Sequence, residues 1–161
     1  MKRYPPHTRR PVVIGAVLLG ICVLPYLGAP TPASLEPLYE TPEYRLGSGL
    51  LLAVLVGLQW AHAVQRRRPA AETKRLLVRH LWLGALAPVL LLTHALSSGY
   101  GYQRALVWIF LLNCVLGLLS PAVVDSRRQL VQRLWLPLHI VASISVVALI
   151  VIHVVVVARY H

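Results

Sequence analysis

The sequence predicts an all-α integral membrane protein, a bundle of five transmembrane helices forming a single domain over residues 1–161. Of its residues, 57% are hydrophobic and 13% are charged, and the mean hydropathy is +0.66, which is far from the composition of a soluble domain. Five stretches without Asp, Glu, Lys or Arg each supply the roughly 20 residues that a helix needs to cross the hydrocarbon core. They place the spans near residues 11–29, 46–65, 80–99, 105–124 and 134–158.

The net charge of +11 follows the predicted loops. Thirteen of the sixteen Lys and Arg residues lie in the N-terminal segment and in the loops after the second and fourth spans. By the positive-inside rule, this distribution predicts a cytoplasmic N-terminus and an external C-terminus. Because topology explains the basic charge, we expect membrane lipid and no nucleic acid as a partner, with a bacterial inner (cytoplasmic) membrane as the location.

The first span has a basic leader and small residues after it, as a signal peptide does. Its apolar run is longer than that of a typical signal peptide, so we expect it to be retained. Cys22 and Cys114 lie singly in separate spans, without a CxxCH or CxxC motif. Both are expected to be small buried hydrophobic residues.

The third and fifth spans carry histidines at the same spacing. RHLWLGALAPVLLLTH contains His80 and His94, and LHIVASISVVALIVIH contains His139 and His153, so each pair is fourteen residues apart. On a helix, fourteen residues rise about 21 Å and return to within about 40° of the same face. Since one span separates these helices, they run in the same direction. His80 with His139 then forms an inner pair, and His94 with His153 an outer pair.

Two facing imidazoles at each level favour two b-type haems, bound without covalent attachment. A neutral imidazole nitrogen is a good axial ligand for iron, and the apolar porphyrin suits the space between helices. Small residues on the same stripes, Gly84 and Ala87 on the third span and Ala142 and Ser143 on the fifth, leave room for it. A haem-free scaffold, in which the histidines bond neighbouring helices, is the alternative. A metal-transport site is poorly supported because no span contains a carboxylate.

Several polar residues flank the predicted sites. Arg79 and Arg133 near the inner level, and Arg104 with Tyr100 and Tyr102 near the outer level, are candidates for contact with haem propionates. Interfacial anchoring explains them equally well.

Three further residues carry weaker signals. His62, at the cytoplasmic end of the second span, is a candidate for a quinone or protonation site, although an interfacial role beside Trp60 is favoured. Pro88 and Pro137 are expected to bend the third and fifth helices or to adjust their histidine-bearing ends.

Paired histidines at this spacing on the third and fifth spans of an N-in bundle resemble the ferric reductase-like transmembrane domain of ferric reductases and NADPH oxidases. The resemblance covers roughly residues 46–158. It implies two stacked b-type haems that pass electrons across the bilayer. It also implies that His80 and His139 hold the inner haem and that His94 and His153 hold the outer one.

The sequence departs from that family in one respect. Members commonly have a sixth span that leads to a cytoplasmic flavin and nicotinamide domain, and here no dinucleotide-binding fingerprint is present. If the resemblance holds, the chain is an electron conduit, or an electron-transfer subunit, that a separate flavoprotein or quinol must reduce.

Cytochrome b subunits of quinol-oxidising complexes also place four histidines on two co-directional helices. They have a long connection with a PEWY motif, whereas here PEWY is absent and 44 residues separate His94 from His139. The ferric reductase-like interpretation is favoured, and a quinone-linked haem anchor subunit stays open. With two imidazoles on each iron, outer-sphere electron transfer to an outer-side acceptor is expected.

Overall fold

The computed structural model describes residues 9–29, 34, 36–64, 70–125 and 129–160, and within these ranges the chain is helical with no strand. Helix α1, Arg9–Val23, continues into a 3-10 turn, Leu24–Leu27. The other helices are α2, Glu36–Glu40; α3, Pro42–Val64; α4, Ala70–His94; α5, Tyr102–Asp125; and α6, Gln129–Tyr160.

Five of these elements are long and apolar enough to cross a membrane: α1 with its 3-10 turn, α3, α4, α5 and α6. The predicted all-α bundle with five such helices is therefore confirmed. Insertion and sidedness stay predictions, and the names inner and outer refer to the predicted topology. His7, His161 and residues 30–33 lie outside the described residues, as does the side chain of His62.

The ends of α3 and α4 determine where His94 lies. Pro42 begins α3, where its missing N–H costs no hydrogen bond, and Glu43 in the first turn complements the helix dipole. Helix α4 ends at His94, whereas the hydropathy pattern placed the end of this span near residue 99. Gly99 and Gly101, with φ of 61° and 56°, form the turn that leads into α5. Their left-handed backbone suits glycine and not a continuing helix.

Helix α4 is central in the bundle, because it packs against α1, α3 and α5. Gly15 of α1 lies so close to α4 and α5 that a Cβ there would be 2.7 Å from Leu118 Cδ2 and 3.0 Å from Ala85 Cβ. Such small residues allow membrane helices to approach closely. Pro88 is fully buried inside α4, and Pro137 lies inside α6. Both helices continue through their prolines.

Helix α6 packs mainly on α5, and α4 and α3 approach it much less closely along their lengths. A gap therefore separates the two histidine-bearing helices. Its inner part is a cavity, and its outer part is bridged by the outer pair of histidines.

Candidate functional site

The inner pair faces a cavity of about 450 Å³ that is lined by residues of α3, α4, α5 and α6. His80 projects from α4 and His139 from α6. Their ring centroids are 6.4 Å apart, and the ring planes are inclined at 83°. Of the four small residues expected from the sequence, Gly84, Ala87 and Ser143 lie on the cavity wall and Ala142 does not line it. Gly117 of α5, which the sequence did not indicate, also borders the cavity.

The outer pair repeats this arrangement at the other end of the bundle. The ring centroids of His94 and His153 are 6.2 Å apart, with an interplanar angle of 84°. The structure thus brings together both pairs that the fourteen-residue spacing predicted. It also shows that α4 and α6 run in the same direction, since each histidine of α4 faces its counterpart on α6.

The separation of the rings can be compared with that of two imidazoles on one metal ion. An imidazole nitrogen lies about 2 Å from the metal it binds, and its ring centroid about 1.1 Å further on, so opposed ligands have centroids about 6.3 Å apart. Rings in direct contact cover a wider range, about 4.5–7 Å. Both histidine pairs fall at the separation that one shared metal requires. The two nearly equal values therefore match a shared metal and also lie within the range of direct ring contact.

His139 is held mainly by neighbours on its own helix. Its ring stacks on Trp135, with centroids 5.6 Å apart and planes inclined at 10°. The indole Nε1–H of Trp135 donates to the backbone oxygen of Leu116 on α5 at 2.8 Å. The hydroxyl of Ser143 donates to the backbone oxygen of His139 at 2.7 Å and lies 3.0 Å from Asn113 Oδ1. A Cβ added to Gly117 would lie 3.7 Å from His139 Cε1, an ordinary contact. Space therefore remains beside this ring.

His94 has a polar partner on another helix. Its Nδ1 lies 3.1 Å from the hydroxyl oxygen of Ser48 on α3, and that hydroxyl donates its proton to the backbone oxygen of Tyr44 at 2.7 Å. Because the Ser48 hydroxyl is placed to donate to Tyr44, its oxygen is available to accept a hydrogen bond from the tautomer of His94 that carries its proton on Nδ1. In that tautomer Nε2 of His94 keeps its lone pair, the form that binds a metal.

The outer pair is also more closely packed than the inner pair. A Cβ added to Gly49 would lie 2.9 Å from His94 Cε1, so α3 approaches this ring at a position where only glycine fits without a shift. The ring of Tyr102 lies 6.2 Å from that of His153. The Nδ1 atom of His153 is buried and has no hydrogen-bond partner among the described residues.

The arginines that the sequence suggested as propionate contacts have different surroundings in the structure. Arg79 and Arg133 are exposed near the inner pair. Arg104 is engaged with the adjacent loop: its guanidinium carbon lies 5.7 Å over the Tyr100 ring, and its Nε donates to the backbone oxygen of Gly99 at 3.4 Å. Arg104 is therefore directed to the surface turn.

Arg45 is a cation that the sequence interpretation did not single out. It lies three and four residues before Ser48 and Gly49, on the same face of α3, and it is close enough to act electrostatically on both His94 and His153. The spacing of Arg45, Ser48 and Gly49 was a weak signal in the sequence. Only the packing of α3 against α4 shows that this face meets the outer pair.

The remaining candidates have no defined role in the site. Cys22 is buried and Cys114 is partly buried, and both are free thiols. The residues that the structure describes contain no group of three His, Cys, Asp or Glu side chains arranged to hold a metal ion. Each histidine level thus provides two imidazoles.

A scan against protein-family models and searches of curated proteins and of solved structures find no match to the chain.

Proposed function

We propose that the chain is a diheme b-type cytochrome that carries electrons across a membrane between two bis-histidine haems. The observation that supports this best is the repetition of one arrangement at two levels, with opposed imidazoles 6.4 Å and 6.2 Å apart. His80 and His139 would hold the inner haem, and His94 and His153 the outer one.

A haem fits these residues better than a bare metal ion does. Metal ions held by side chains alone usually have three or four protein ligands. Among the described residues each level brings two histidines together, and a porphyrin-bound iron would take two such ligands from the protein. The inner cavity, about 450 Å³, also falls within the usual range of about 300–1,000 Å³ for cofactor sites.

The residues of the chain would perform three tasks. The four histidines would hold the haem irons, and outer-sphere electron transfer is the chemistry expected of irons held by two imidazoles each. The apolar side chains around the inner cavity, such as Leu81, Phe110 and Val146, exclude water. The fourteen-residue spacing separates the two levels by about 21 Å along the helices, which spans most of a hydrocarbon core. The bound haems supply iron that alternates between the ferric and ferrous states.

The predicted topology suggests a direction. In a membrane that is negative inside, an electron that moves outward across the full potential gains about 2.3 kcal/mol per 100 mV. We therefore propose transfer from a cytoplasmic-side donor, a flavoprotein or a quinol, to a separate acceptor on the outer side of a bacterial inner membrane.

A quinone-linked subunit is the second candidate, and a groove between α3 and α6 favours it. This groove is lined by apolar residues such as Ala53, Gly57 and Ile150, and Val56 and Trp60 border both the groove and the inner cavity. The buried Oε1 of Gln59, on the cavity wall, has no hydrogen-bond partner among the described residues. A quinol that enters through the groove could donate a hydrogen bond to this oxygen.

The decisive experiment is a dithionite-reduced-minus-oxidised spectrum of the purified chain, with haem quantified as the pyridine haemochrome. Two non-covalent b-type haems per chain are expected. A chain without haem, after expression with ample haem supply, would contradict the proposal and leave the histidines as helix-packing residues. Reduction by a quinol alone would favour the quinone-linked function, whereas dependence on an added flavoprotein would favour the conduit.

The ring planes supply a more specific readout. When two axial imidazoles are perpendicular, two of the iron d orbitals have nearly equal energy, and the ferric low-spin EPR signal becomes strongly anisotropic. The angles of 83° and 84° predict such a signal from both haems. A rhombic signal of ordinary anisotropy would instead indicate near-parallel imidazoles.

A further inference from the structure

The end of α4 that carries His94 is held by three tyrosine hydroxyls. They come from three elements: the 3-10 turn after α1, helix α2 and helix α3. Each donates a hydrogen bond to a backbone carbonyl in or just after the last turn of α4. The bonds are Tyr26 to Ala95 at 2.6 Å, Tyr39 to Leu92 at 2.9 Å and Tyr44 to Thr93 at 2.7 Å.

These bonds matter because of where His94 lies. The last four carbonyls of a helix have no partner within the helix, and helix ends fray. His94 is the final residue of α4, whereas His80, His139 and His153 lie within their helices. Of the four histidines, His94 is therefore the one whose backbone most needs support from outside its own helix.

A fourth hydroxyl, that of Ser48, holds the ring of the same residue through Nδ1. We call Tyr26, Tyr39, Tyr44 and Ser48 the outer clasp. Tyr39 and Tyr44 also pack edge to face, with ring centroids 5.3 Å apart. Burial and the neighbouring Tyr44 raise the pKa of Tyr39 to about 12, so this hydroxyl keeps the proton it donates near neutral pH. The outer clasp thus fixes both the backbone and the ring of His94.

We propose that the outer clasp positions His94 as an axial ligand and thereby lowers the reduction potential of the outer haem. This inference rests on the proposed diheme function. A hydrogen bond from Nδ1–H to an oxygen acceptor makes an imidazole a stronger donor to its metal, and stronger donation favours ferric over ferrous iron. The three tyrosines keep His94 where Ser48 can accept that bond. All four are positioning residues, and none of them is assigned to contact the iron.

The first test removes the acceptor. In Ser48→Ala, we expect spectroelectrochemical titration of the two-haem protein to show a higher outer potential and an unchanged inner one. A tenfold weaker preference for ferric iron corresponds to about 59 mV. Ser48→Thr, which keeps a hydroxyl, should restore most of the shift. The redox transition of the outer haem is identified as the one that disappears in His94→Ala.

The second test loosens the backbone of the ligand. Tyr44→Phe keeps the ring and removes the hydroxyl next to His94, and Tyr26→Phe with Tyr39→Phe extends the loss. We expect the outer EPR signal to broaden or weaken as the clasp is removed, while the inner signal persists and shows that the bundle is folded. Tyr160→Phe is the matched control, because Tyr160 lies at the same end of the bundle, as the last residue of α6, and is 78% exposed.

The outcomes separate this inference from the proposed function. Wild-type protein without haem would overturn both. Wild-type protein with two haems, but with the same outer potential and EPR signal in Ser48→Ala and Tyr44→Phe, would overturn the clasp alone. Loss of both haems in Tyr44→Phe would also overturn it, because the clasp should act only at the outer level.

Discussion

The inner and outer histidine pairs have the same ring separation but are held in different ways. His139 is supported by Trp135 and Ser143, which lie four residues before and after it on α6. His94 and the residues beside it accept or share hydrogen bonds with residues of three elements, and these bonds span 46 to 69 positions of the chain. The inner pair borders an open cavity, whereas the outer pair is enclosed by a close approach of α3. His139 is thus contacted by residues of its own helix that are themselves bonded to α5, whereas the end of α4 at His94 is bonded directly by residues of other elements.

Because the two pairs are held differently, we expect them to tolerate nearby substitutions to different degrees. A histidine that faces a cavity has neighbours that can shift, whereas one held by several partners in a close-packed region transmits small changes to its ring. Substitutions around the outer pair should therefore have larger effects than equivalent ones around the inner pair. Removing a ligand is the exception, because it should abolish either site.

The largest effect is expected from removing one histidine at each level. His139→Ala should lose the inner haem and His94→Ala the outer one, so the pyridine haemochrome should fall from two haems per chain to one in each. The spectrum that remains should differ between the two variants. If either substitution removes both haems, the levels do not bind independently. If neither removes any, the imidazoles are not the ligands.

Adding one methyl group at matched glycines compares the two levels directly. In Gly49→Ala, the new Cβ would lie 2.9 Å from His94 Cε1 and must displace the ring, so we expect loss or strong perturbation of the outer haem. In Gly117→Ala, the new Cβ would lie 3.7 Å from His139 Cε1, and the inner haem should be retained. Gly57→Ala, which meets no atom within 4 Å, controls for the added methyl group. If Gly49→Ala and Gly117→Ala retain haem equally, the outer pair is not more sensitive to nearby substitution than the inner pair.

A smaller effect is expected from charge near the outer pair. Arg45 acts electrostatically on both outer histidines, and a nearby positive charge favours the ferrous over the more positive ferric iron. Arg45→Gln should therefore lower the outer potential in a redox titration and leave the inner one in place. Arg104→Gln should have less effect, since Arg104 is engaged with Tyr100 and Gly99. A larger shift from Arg104 would assign the propionate contact to that residue instead.

The sequence predicts the inner level more completely than the outer one. Hydropathy indicated the five long helices, and the fourteen-residue spacing indicated which histidines face each other, because both are periodic features of single helices. The support of His94 depends on how the ends of α1, α2 and α3 meet the end of α4. Tyr26, Tyr39 and Tyr44 have no periodic relation to His94, so no local pattern identified them. For the same reason Arg104 was named from its position near the membrane surface, while Arg45 was missed.

The smallest effect is expected at Trp135, which supports the inner histidine. Trp135→Phe keeps an aromatic ring against His139 but loses the hydrogen bond from Nε1 to Leu116, a loss of about 1 kcal/mol in stability. We expect a modest fall in the temperature at which the Soret band is lost, and a smaller change of the inner potential than Ser48→Ala causes at the outer haem. Trp82→Phe, at an exposed position of α4, is the control. Trp135→Phe could instead shift the inner potential as much as Ser48→Ala shifts the outer one. In that case, stacking on Trp135 holds the ring of His139 as firmly as the outer clasp holds the ring of His94.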